Sequence, residues 1–143
     1  MLSLDDDLWN ALLGAYGIPY DPRRLLVRLR RRPQLQSVVR ELRERLAGEG
    51  SVGTASYAAV PHLLRAGRLD LALEIETARY APGNPPVPGW MRDDYEAEWV
   101  DFLKGADTLG EAERLLLQEI AETRREQIGS FSPLDRALSE RVN

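Results

Sequence analysis

The stretch from Gly53 to Gly67, Gly-Thr-Ala-Ser-Tyr-Ala-Ala-Val-Pro-His-Leu-Leu-Arg-Ala-Gly, constrains the fold more than any other. Arg65 is its one charged residue. At 100° per residue Tyr57, Val60, Leu63 and Leu64 form one apolar arc, and alanines fill most of the remaining circumference. A helix without a solvated face needs neighbours on more than one side, and small side chains let those neighbours approach closely. The spacing therefore predicts a central helix with others around it. Pro61 lies inside this helix and removes the donor for the Tyr57 carbonyl, which predicts a kink.

The rest of the chain reads as further helices. Ser3 to Ala15 is predicted as the first, with Leu8, Trp9, Leu12, Leu13 and Tyr16 on its buried face and a Ser3/Asp6 cap. Gly17 and Pro19 stop it. Asp21-Pro22 supplies an N-cap acid and a first-turn proline for a second helix reaching about Arg32. Leu25, Leu26 and Leu29 form its narrow apolar stripe, and six arginines cover most of its remaining surface. Gln34 to Ala47 has the cleanest period, with Leu35, Val38, Val39, Leu42 and Leu46 on one face. Leu69 to Tyr80 and Asp93 to Lys104 follow, with Tyr95, Trp99, Phe102 and Leu103 on one face of the latter. Thr108 and Glu111 form a capping box for a helix to about Gln127, its stripe being Ala112, Leu116, Ile120 and Thr123. Ser132-Pro133 starts a short last helix. Between residues 81 and 89 four prolines predict a stiff, extended connection, with Trp90 pinning its far end to the core.

No segment alternates at period two, so the predicted class is all-α. At 143 residues one domain is expected, spanning 1–143. Consecutive amphipathic helices on short links favour antiparallel pairs stacked in order, a short right-handed α-solenoid of about eight helices.

Composition bounds the chemistry. There is no cysteine and one histidine, which excludes thiolate chemistry and disfavours zinc, and no cofactor or metal site is predicted. No apolar run is long enough to span a bilayer, and the acidic start argues against a signal peptide. Residues 1–70 carry 11 basic and 8 acidic side chains, whereas residues 71–143 carry 8 and 15. That asymmetry either steers a charged partner or draws the two halves together.

Five features bear on function. Gly48-Glu49-Gly50-Ser51-Val52-Gly53 matches G-x-G-x-x-G, but a dinucleotide site requires a preceding strand, and here a periodic helix precedes it. A turn between helices is the reading taken. Arg24, Arg28 and Arg31 share a face and suit phosphates or an acidic protein; otherwise they are a solvated face pairing with Glu41, Glu44 or the acidic half. Asp94, Glu98 and Asp101 share a face, so a divalent cation or a glycosidase-type carboxylate pair is formally open, against ordinary dipole and solvation roles. His62 shares an arc with Ala58 and Arg65 and is either an anion ligand or base, or simply structural. Pro82, Pro85 and Pro88 fit a polyproline-ligand spacing, but a strap across the bundle suffices.

Leu8-Trp9-Asn10-Ala11-Leu12 with Ala15-Tyr16-Gly17, then Asp21-Pro22, resembles the opening of a group of bacterial HEAT-repeat-like proteins of uncharacterised function. Gly50-Ser51-Val52 leading into Ala55-Ser56-Tyr57-Ala58-Ala59-Val60-Pro61-His62-Leu63-Leu64 is similar to that group's central signature. The resemblance covers most of residues 8–100 and implies a curved stack of helix pairs with no established catalytic activity. Gly48-Glu49-Gly50 stands where similar proteins are expected to carry His-Gln-Gly, so no role of that histidine is carried over.

The expected function is a non-enzymatic protein- or peptide-binding module of the bacterial cytosol, with an immunity or inhibitor role as one concrete version by analogy with small acidic binding proteins. The candidate contacts are Arg24, Arg28, Arg31, His62, Arg65, Asp94, Glu98 and Asp101. The alternative is a nucleic-acid-binding helical repeat using the arginines of the second and third helices. An enzyme using His62 or the Asp93–Asp101 acids is the third possibility, and no full catalytic constellation supports it.

Overall fold

The computed structural model describes residues 1–127 and 132–142. Among these, the chain forms seven α-helices: α1 (Arg23–Arg31), α2 (Gln36–Ala47), α3 (Thr54–Arg65), α4 (Leu69–Ala78), α5 (Gly89–Gly105), α6 (Glu111–Gln127) and α7 (Pro133–Val142). Short 3₁₀ turns occupy Asp7–Ala11, Ala15–Gly17 and Gly48–Gly50. No strand occurs among the described residues; one isolated bridge joins Leu13 and Pro19. The class is all-α.

α3 holds the centre, as its composition predicts. Every residue from Ala55 to Leu64 is buried, and the helix touches α1, α2, α4 and α5. Ala55, Ser56, Ala58 and Ala59 permit this crowding, because a larger side chain on any of these faces would push a neighbour away. The helix runs without interruption through Pro61. Contacts beyond α3 follow a simple rule. α1 touches α2, α3 touches α4, and α6 touches α7. Each helix also meets the next but one: α1 with α3, α2 with α4, α3 with α5, α4 with α6, and α5 with α7.

The predicted first helix does not form. Asp6 caps a single 3₁₀ stretch through Leu8 N, the Trp9 indole N–H donates to the Ser3 carbonyl, and Leu12 is already extended. The reason is competition for backbone groups. Leu13 N donates to Thr54 Oγ1, the Leu13 carbonyl accepts from Ala55 N, and Tyr16 N donates to Ser51 Oγ. Gly14 N and Tyr20 N bond the Ile18 and Leu12 carbonyls, closing a small loop. Trp9 and Leu12 are buried as predicted, but Leu8, Leu13 and Tyr16 are exposed. The loop seats on the first turn of α3, where Gly53 is obligatory: a Cβ there would strike the Leu13 and Gly14 carbonyl oxygens.

The glycine-rich segment is a turn between α2 and α3. Glu49 and Gly50 take positive φ values of 52° and 77°. Three of its amides are occupied internally: Ser51 N bonds the Gly48 carbonyl, Val52 N bonds Asn84 Oδ1, and Gly53 N bonds Ser56 Oγ.

Three further expectations change. α5 starts at Gly89, earlier than predicted, and Trp90 is 56% exposed. The proline strap is pinned instead by buried Val87, by the Tyr57 hydroxyl donating to the Pro85 carbonyl at 2.6 Å, and by Asn84 bridging the Gly50 and Ala78 carbonyls. At α6 the cap shifts from Thr108/Glu111 to Gly110, whose N–H donates to Glu113. The buried stripe of α6 is Leu117, Ile120 and Arg124, one position on from the predicted one.

Candidate functional sites

α1 begins one residue later than predicted, at Arg23, with Pro22 at its N-cap. Asp21 Oδ1 accepts from Arg23 N and Asp21 Oδ2 holds the Arg23 guanidinium at 2.7 Å, while Leu26 and Leu29 are buried. The outward face then carries Arg24, Val27, Arg28 and Arg31, at the i, i+3, i+4 and i+7 positions of one stripe, all exposed. The guanidinia of Arg24, Arg28 and Arg31 make no hydrogen bond or ion pair with a described residue. The pairing with Glu41 or Glu44 expected of a merely solvated face does not occur among the described residues. Arg28, Arg30 and Arg31 in the last turn are tolerated there because the carboxyl end of a helix carries partial negative charge.

His62 is 3% exposed, and its Nε2–H donates to the Leu2 carbonyl oxygen at 2.8 Å, since a carbonyl can only accept. The ring lies 5.9 Å from that of Trp9, tilted by 54°. Burial lowers its pKa below 6.5; the Leu2 carbonyl opposes this, and Arg30 and Arg65 add to it. His62 therefore ties the amino-terminal segment to α3 and is buried, unlike the other candidate contact residues. Arg65 reaches Glu98 at 2.9 Å, so α3 and α5 are joined across the charge divide of the sequence. Arg43 does the same from α2, bonding Glu74 at 2.8 Å and Asp70 at 3.2 Å. Asp94 is exposed and lies 3.6 Å from the Met1 amine, whereas Asp101 borders a separate hollow with Pro133 and Leu134. The three predicted acids thus serve three different neighbours. Among the described residues no group of three or more acidic or histidine side chains is placed to hold a metal ion.

The densest chemistry in the molecule lies elsewhere, where α4, α5, α6 and α7 meet. Glu76, 2% exposed, accepts from the Tyr95 hydroxyl at 2.6 Å, the Tyr80 hydroxyl at 2.6 Å and Arg79 Nη1 at 3.1 Å. The Arg79 guanidinium carbon sits 5.0 Å and 5.4 Å from the centroids of the Tyr80 and Tyr95 rings. Its Nη2 donates to Glu96 Oε2 at 2.9 Å, and the same oxygen accepts from Arg124 Nη1 at 3.2 Å. Arg124, 2% exposed, is held from behind by Asp135 at 2.7 Å and also donates to Tyr80 and Ser132. Burial works against the charge on both guanidinia, and their acidic partners outweigh it, so both stay protonated. Burial likewise pushes the Asp135 carboxyl up, but hydrogen bonds from Arg124 and Ser132 prevail and its pKa falls below the usual value.

Apart from Glu96, one of the Asp93–Asp101 acids, none of these residues was singled out by motif. The available signal was Arg124 itself, an arginine continuing the Leu117–Ile120 stripe where a hydrophobe belongs. Glu76, Arg79 and Tyr80, at i, i+3 and i+4 of one helix end, were its partners in waiting. No family model, curated protein or solved structure matches this chain.

Proposed function

We propose that this chain is a bacterial, cytosolic, non-enzymatic interaction module: a short right-handed α-solenoid of the HEAT-like kind that binds an acidic protein surface through α1. The next-but-one contacts, α1 with α3, α2 with α4, α3 with α5, α4 with α6 and α5 with α7, support the solenoid reading, because stacked helix pairs place alternate helices side by side. The observation that carries the binding role is the unpaired row of Arg24, Arg28 and Arg31 around an exposed Val27. By contrast Arg43, Arg65, Arg79 and Arg124 are each paired with a carboxylate of the chain. Arginine around a small apolar centre is also the composition that protein interfaces favour. An immunity- or inhibitor-type role is one concrete form of this function. The non-enzymatic part rests on the buried, carbonyl-bound His62 and on Asp94 and Asp101 facing different neighbours.

The experiment compares wild type with the triple variant Arg24→Glu, Arg28→Glu, Arg31→Glu as bait. Wild type retains an acidic protein at low salt and loses it at high salt, and the triple variant retains none. A partner held equally by both proteins would place the contact elsewhere. The same guanidinium row supports a second reading, nucleic-acid binding. A mobility-shift measurement at about 50 mM salt separates the two, since phosphate contacts are strong there and fall steeply as salt rises.

A further inference from the structure

A groove of about 660 Å³ runs between α2, α4 and α6. Ala47, Leu73, Ala78 and the exposed Leu116 give it an apolar surface, and its alanines keep it hollow. Its charge is acidic once every pair is counted. Arg43 is bound by Glu74 and Asp70, and Asp70 also takes Arg68, so two guanidinia and two carboxylates cancel there. Glu44 and Glu49 remain on the lining, both exposed and without an ion pair among the described residues. Arg40, one turn before Glu44 on α2, makes no ion pair with it, and the Tyr16 hydroxyl beside Glu49 is neutral.

The outward face of α1 is the counterpart. Arg24, Arg28 and Arg31 surround the exposed Val27 and pair with no described carboxylate. One surface offers uncancelled cations around an apolar side chain, the other uncancelled anions around an apolar hollow. Within one chain the two do not meet, since no arginine of the row pairs with a glutamate of the groove among the described residues.

We infer that the acidic surface bound by α1 is the α2–α4–α6 groove of a second copy of this chain. The inference rests on α1 being the binding face. Val27 seats in the hollow, and the arginines of the row reach Glu44 and Glu49. Opposite charges set in this way fix the register of the contact as well as attracting the partner. The contact joins two different surfaces, so each copy keeps a row or a groove to offer, and copies add in sequence or close into a ring.

The test is sedimentation of the full chain over a range of concentrations, at about 0.1 M and about 1 M salt, where the Debye length is about 10 Å and about 3 Å. In the lower salt the weight-average mass rises with concentration, and in the higher it stays at that of one chain. Arg24→Glu, Arg28→Glu, Arg31→Glu on one side, and Glu44→Arg, Glu49→Arg on the other, each weaken self-association at least about tenfold, because like charges then face each other. Mixing the two variants restores it, since the reversed row meets the reversed groove, and restoration shows that both are folded. A wild type that is monomeric throughout would overturn the self-contact; the α1 reading survives that result if wild-type bait still retains an acidic protein that the triple variant loses. Self-association unmoved by the α1 variant would overturn both. Self-association lost with the α1 variant but kept by the groove variant, or a mixture that stays monomeric, would remove the groove as the docking surface.

Discussion

Arg28 and Arg124 carry the same guanidinium and meet opposite fates. Arg28 lies on α1, a nine-residue helix, exposed and without a described partner. Arg124 lies on α6 with 2% of its surface exposed, and each of its three nitrogens has a hydrogen-bond acceptor. The contrast shows what a buried charge demands. An arginine goes inside only where several helices deliver carboxylates and hydroxyls to one point, and α4, α5 and α7 do so here. Where none is delivered, the arginine stays outside and remains available to something else.

The largest test of that contrast removes a buried partner. Glu76→Ala leaves Arg79 and two phenols without their common acceptor, and it should cost about 3–5 kcal/mol of unfolding free energy by denaturant titration. A loss below about 1 kcal/mol would mean that water reaches the cluster and that its charges are not truly internal. Next in size is Gly53→Ala. Its new methyl meets main-chain oxygens that cannot swing away, so a loss of about 1–3 kcal/mol is expected, with faster hydrogen exchange at Leu13 and Ala55. An unchanged exchange pattern would separate the loop from α3.

A smaller effect concerns His62. Its folded pKa lies below the unfolded value of 6.5, so the unfolded chain takes up the proton first as pH falls. Stability is therefore complete above pH 6.5 and declines below it, until the folded pKa is passed, with a slope of at most about 1.4 kcal/mol per pH unit. His62→Gln should flatten the profile between pH 6.5 and 5, as followed by denaturant midpoints. Smallest of all is the effect of Arg24→Glu, Arg28→Glu, Arg31→Glu on folding. The unfolding midpoint should fall only slightly, since glutamates in the last turn oppose the helix dipole, while partner binding is abolished. A large loss of stability would mean that these arginines are engaged within the chain.

Several elements were legible because their apolar residues leave one choice. In α2, Val38, Val39, Leu42 and Leu46 admit a single buried face, and the structure buries those four. The short polar starts at Asp21 and Ser132 were equally clear: Asp21 bonds Arg23 N, and Ser132 Oγ accepts from Asp135 N. α6 was ambiguous, because Leu115, Leu116 and Leu117 are consecutive and permit neighbouring registers. Leu117 goes inside and Leu115 is 55% exposed, since only that rotation brings Arg124 to Asp135. The stretch from Leu8 to Tyr16 has helical spacing, yet its amides and carbonyls are claimed by Ser51, Thr54 and Ala55 from across the fold. Of the candidate sites, the arginine row of α1 was visible in its own spacing. The cluster around Glu76 was not, because its members are scattered from residue 76 to residue 135.

Helical class, the central place of residues 54–65 and the outward arginines of α1 were inherent in the order of residues, because each depends on periodicity within one short segment. The folding of residues 8–16 into turns, the burial of His62 against Leu2, and the meeting of Glu76, Arg79, Tyr95, Glu96 and Arg124 were settled by packing alone. Those features join groups far apart along the chain, and a local pattern holds no record of which distant donors and acceptors will arrive beside it.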